Sequence, residues 1–116
     1  MRPAKFSPAR DIPSSLLLLS LVCTLYAAGA SAQPFAEADA KAGKALVDKH
    51  CIACHADRFG GDGSKIYTRE RRLVNSSKGL VAQIRNCNTM LGMKWFEDEE
   101  LNVAAYLNQS YYHFDK

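Results

Sequence analysis

Cys51-Ile52-Ala53-Cys54-His55 constrains this chain more than any other stretch of it. Two thiols stand three residues apart, and an imidazole follows the second directly. In a helical turn, residues i and i+3 lie on one side. Both sulfurs therefore face a common partner, and the histidine is carried beneath it. Cys-x-x-Cys-His is the signature of covalent haem attachment. The thiols add to the two haem vinyl groups, and His55 becomes the proximal ligand of the iron. Two rival uses of the spacing are weaker. A redox-active dithiol of the thioredoxin kind requires a βαβ surrounding, and no alternating strand pattern occurs in the chain. A structural zinc site needs a fourth ligand, a role open to Cys87.

The start of the 116-residue chain reads as an export signal. Arg2, Lys5 and Arg10 form a basic opening, and an apolar run begins at Leu16-Leu17-Leu18-Leu19-Ser20-Leu21-Val22. Ala30-Ser31-Ala32 then supplies a small–x–small cleavage site, with Gln33 as the expected mature N-terminus. The apolar run is too short, and too closely followed by that site, for a retained span. Leu21 and Val22 precede Cys23 where a lipoprotein signal requires small residues. Residues 1–32 are thus expected to be a cleaved secretory signal and residues 33–116 a single domain in the periplasm. A domain that small buries little core and leans on a cofactor or cross-link. Three basic residues and one acidic residue leave with the signal, so the net charge falls from +3 to +1. That balance makes no electrostatic case for nucleic acid or an anionic membrane as a partner. Of the four cysteines, Cys23 leaves too, and Cys51, Cys54 and Cys87 remain. Once haem takes two, the third thiol needs its own explanation in an oxidising compartment.

The rest of the chain reads as helices and loops. Phe35 to His50 is rich in helix formers, with Phe35, Ala38, Ala42, Leu46 and His50 along one stripe and Gly43 and Val47 beside it. Gly60, Gly61 and Gly63 mark a loop. Lys65–Ser77 is polar, basic and without a clear period. Ser76 or Ser77 can cap a helix through Leu80, Val81, Ile84 and Cys87, in which Leu80, Ile84 and Cys87 share a face. Asn88–Phe96 reads as irregular and carries Met90, Met93 and Trp95. Glu97-Asp98-Glu99-Glu100 opens a last helix at its positive end. The tail Tyr111-Tyr112-His113-Phe114 is aromatic enough to pack. The fold class is all-α.

With its haem motif, Gly43, Leu46 and Val47 upstream of it, and Val103 and Tyr106 near the end, the chain resembles a class I cytochrome c from about Glu37 to Asn108. The resemblance implies a small fold in which the first and last helices cross at the glycine around one haem c per chain. It also implies a proline after the haem motif whose carbonyl orients the proximal histidine. Residues 33–116 contain only Pro34, so another carbonyl is expected to accept from His55 Nδ1.

The family commonly takes its sixth iron ligand from a methionine on a loop before the last helix, a position open to Met90 and Met93. Neither is followed by the usual proline. Cys87 is the preferred distal ligand: it is the unpaired thiol, and it shares a face with Leu80 and Ile84. The segment Gln83–Thr89 also resembles the less common His/Cys-ligated cytochromes known from green haem proteins. A buried core cysteine and gap-filling methionines are the bland alternatives. Tyr67 and Trp95 are placed to pack on the macrocycle or donate to its propionates. Arg69, Arg71 and Arg72 are either propionate partners or a solvated charge run.

The resemblance implies one-electron transfer between periplasmic redox partners by a monomer or weak oligomer. Two alternatives are a haem protein that binds or senses small ligands, and the electron-accepting subunit of a dehydrogenase. No acid–base pair or second metal motif points to an enzyme acting alone.

Overall fold

The computed structural model describes residues 33–115, together with Pro3 and Ala4. Apart from those two residues, the expected signal segment lies outside the described part. Residues 33–115 form one compact unit. Its helices are α1 (Ala40–His50), α2 (Ile52–Phe59), the single turn α3 (Lys65–Thr68), α4 (Ser77–Leu91) and α5 (Glu97–Leu107). A π-helical turn, Asn108–Tyr112, follows. The all-α expectation holds, and no described helix is long and apolar enough to cross a membrane.

α1 starts later than its composition suggests. Asp39 has extended backbone, and its carboxylate accepts from the N–H groups of Lys41 and Ala42 at 2.9 and 3.0 Å, which caps the helix at Ala40. Phe35 takes a left-handed φ of 64° and lies in a preceding turn. The buried centre of α1 is accordingly Gly43 and Val47, not the Ala38–Ala42 part of the stripe. There α1 lies against α5. A Cβ on Gly43 would stand 1.8 Å from the Asn102 carbonyl oxygen, so the two backbones touch. The N–H of Asp39 donates to Asn102 Oδ1 at 2.7 Å and fixes the crossing from its other end.

Ser76 is the cap of α4, accepting from Gly79 N–H at 3.0 Å. The helix runs on to Leu91, past the point where Asn88 and its neighbours read as irregular. Asn88 is buried and does not interrupt it. Its side chain instead accepts from Trp95 N–H at 3.0 Å and donates to the Trp95 carbonyl at 3.1 Å and to Glu100 Oε1 at 2.9 Å. Arg85 Nε meets the other oxygen of Glu100 at 2.8 Å. This network ties the Gly92–Phe96 connection to α4 and α5 and satisfies a buried carboxylate. Asn88→Ala leaves the Trp95 amide and one Glu100 oxygen without their partners. It is expected to cost about 2 kcal/mol, read as a lower midpoint in urea unfolding with an unchanged slope.

The aromatic tail packs as anticipated. Tyr112 is buried and stacks on Phe114, and Tyr111 stacks on Tyr67 with ring centroids 5.0 Å apart. The Asn108 side chain pins the turn by bonding both the N–H and the carbonyl of Phe114.

Candidate haem site

Cys51 links α1 to α2, and Cys54 and His55 follow on the first turns of α2. His55 N–H donates to the Cys51 carbonyl at 3.2 Å, so motif and helix start coincide. The three residues line one cavity that opens in part to solvent. α4 contributes Leu80, Gln83, Ile84, Cys87 and Leu91 to its wall, α5 contributes Val103 and Leu107, and the connection between them contributes Met93 and Trp95. The lining is mostly apolar. Leu73 and Leu91, 80% and 61% exposed, are bare because they face this space.

Electrostatics keep His55 and Cys51 neutral. Burial, then Arg58, holds His55 below its ordinary pKa, leaving a neutral imidazole that can ligate a metal. Burial, reinforced by the sulfurs of Cys87 and Cys54, pushes the Cys51 thiol up to about 11. Cys51, Cys54 and Cys87 are all free thiols. Among the described residues no group of three His, Cys, Asp or Glu side chains is gathered to hold a metal ion, which leaves the zinc alternative without a ligand set.

His55 Nδ1 lies 3.1 Å from the hydroxyl of Tyr67. The expected carbonyl partner is therefore replaced by a phenol, a residue the sequence reading had assigned to the macrocycle or its propionates. Burial, and next the Cys51 sulfur, pushes this hydroxyl far above its ordinary pKa, so it stays protonated. Behind it a second cavity is lined by Asp48, Asp62, Tyr106 and Tyr111 as well as His55 and Tyr67. Gly63, with φ 77°, brings its backbone against His55: a Cβ there would stand 2.7 Å from His55 Cβ and 2.8 Å from Ala56 N. The sequence marked Gly63 as a loop residue but carried no sign of what it touches.

The remaining candidates separate. Cys87 and Met93 line the cavity, whereas Met90 is 74% exposed on α4 and does not. Arg69 lines the cavity, and its Nε is buried without a hydrogen-bond partner. Arg72 is engaged elsewhere: its guanidinium covers the Tyr112 ring at 4.9 Å and donates to the Tyr67 carbonyl at 3.2 Å. Arg71 is exposed.

These residues fit a haem. Two thiols on one helical turn, an adjoining neutral imidazole, an apolar cavity and a half-buried arginine over Phe59 whose Nε lacks an acceptor are the groups that a macrocycle with vinyl and propionate groups requires. Together with first and last helices that cross at a glycine, they define a class I c-type cytochrome with one covalently bound haem c. The chain belongs to the family described as cytochrome C oxidase, cbb3-type, subunit III, whose model matches residues 38–107. No curated protein and no solved structure shows a significant match. Its function is periplasmic electron transfer through that haem, with His55 as an axial ligand. When bound, the group supplies a one-electron iron couple. The chain's part is to tether it, ligate it and keep its surroundings dry.

Proposed function

We propose that the chain is an exported electron carrier whose second axial ligand is Cys87. The observation that carries this reading is the face Cys87 shares with Leu80, Ile84 and Leu91, all of which line the haem cavity. Gln83 Nε2 donates to Cys87 Sγ at 3.5 Å, and such a donor suits a sulfur that bears anionic charge. Met93 is the competing sulfur; the exposure of Met90 argues against it. Arg69 is the propionate partner in this reading, because a buried guanidinium nitrogen without an acceptor calls for an anion. An anionic thiolate favours Fe(III) and sets a lower potential than a thioether does.

Low-temperature EPR and optical spectra of the oxidised protein, Cys87→Ser and Met93→Leu test the assignment. Cys87→Ser is expected to abolish the low-spin signal of the parent and raise the reduction potential by about 0.1 V, a modest part of the range that axial ligation spans. Met93→Leu is expected to leave both nearly unchanged. A thioether-to-iron charge-transfer band present in the parent and lost only in Met93→Leu sinks the thiolate reading.

Redox proteins of the periplasm are the partners in this reading. The family's description names an oxidase subunit, which makes a membrane oxidase one electron acceptor to try. Residues 1–32 act as the cleaved signal. The mass of the exported holoprotein checks this, since it corresponds to residues 33–116 plus one haem.

A further inference from the structure

We propose that Tyr67 is the positioning residue of the proximal ligand, its hydroxyl accepting the Nδ1–H of His55 in the holoprotein. The proposal rests on the reading of His55 as an axial ligand. A neutral imidazole bound to iron through Nε2 keeps its proton on Nδ1, so the nitrogen donates and the phenol oxygen accepts. The 3.1 Å separation suits that bond.

Tyr67 is held independently of the histidine. Its N–H donates to the Ser64 carbonyl at 2.9 Å, and its own carbonyl accepts from Arg72 Nη1 at 3.2 Å. Its ring is stacked on Tyr111 and meets Tyr112 edge-on, with centroids 5.9 Å apart. The oxygen is therefore presented at a fixed place, which is the property that an orienting partner needs. An acceptor on Nδ1–H raises the basicity of the ligand and favours Fe(III). Removing it moves the potential upward.

The test uses the full holoprotein, reduced and low-spin (with carbon monoxide added where the sixth position opens). In the unsubstituted protein the Nδ1–H of His55 is expected to exchange slowly with water and to show NMR cross-peaks to the Tyr67 ring. In Tyr67→Phe its exchange is expected to quicken by about tenfold, the equivalent of one hydrogen bond. The potential is expected to rise, with covalent haem retained. Equal exchange and equal potential in the two proteins overturn the proposal while leaving the haem reading intact. Rapid exchange in the unsubstituted protein overturns it without any variant, which covers a Tyr67→Phe chain that does not fold. A holoprotein with no iron-bound His55 resonance sinks the axial reading, and the proposal falls with it.

Discussion

Replacing Gly43 by alanine is expected to destabilise the holoprotein by about 3 kcal/mol or more, at the upper end of overpacking costs. On helix propensity alone the sign is reversed, since alanine in a helix interior is favoured over glycine by about 1 kcal/mol. The difference lies in what the new Cβ meets. Asn102 O, Asn102 C and Val103 N would be 1.8, 2.3 and 2.8 Å away. All three are backbone atoms of α5, so no rotamer change relieves the overlap. The helices must separate, and Val47, Val103 and Ala104 then lose the close packing of the core they share. For a domain of this size the melting temperature is expected to fall by about 12 °C or more, followed by far-ultraviolet circular dichroism. A midpoint equal to or above that of the unsubstituted protein contradicts the crossing at Gly43.

The second large effect is expected at Gly63, where alanine meets two penalties. A left-handed φ of 77° disfavours any Cβ by about 1–2 kcal/mol. The Cβ also presses on His55 Cβ, His55 C and Ala56 N, all within 2.8 Å. Together these are expected to cost about 2–4 kcal/mol. Because the collision is with the histidine's own main chain, the haem spectrum should change along with the stability. Gly60 supplies the control. Its φ of 76° is the same, but nothing lies within 4 Å of a Cβ there. Gly60→Ala should lower stability by the conformational part alone and leave the axial-ligand region of the spectrum untouched. Equal spectra for the two variants contradict the contact between Gly63 and His55.

The attachment motif was readable because its chemistry is local: three side chains within five residues. The Ser76 cap and the acidic opening of α5 were readable for similar reasons, whereas the crossing at Gly43, which joins residues far apart in the chain, came from the resemblance to class I cytochromes c. Misreadings arose where a residue's role depends on something distant in the chain. Alanines on both sides of Asp39 favour helix equally, so composition did not show that the carboxylate would start α1 there. Asn88 opened the stretch that read as irregular, yet an amide that finds the N–H and carbonyl of Trp95 can remain in a helix without competing with it. Arg69, Arg71 and Arg72 are alike in sequence; only the fold sends one to the cavity, one to Tyr112 and one to solvent. Tyr67 stands twelve residues beyond His55, across a glycine loop whose path no local rule predicts.

The stack of Tyr67 on Tyr111 and its edge contact with Tyr112 have a consequence for the order in which the molecule is completed. Residues 51–55 leave the ribosome well before residues 111 and 112. A chain still emerging therefore already presents both attachment thiols, while the aromatic wedge behind the histidine is not yet made. The rear support of the histidine can close only once the tail that carries Tyr111 and Tyr112 has been made. Premature termination between residues 56 and 110 yields a polypeptide with every attachment atom and no finished backing for the ring.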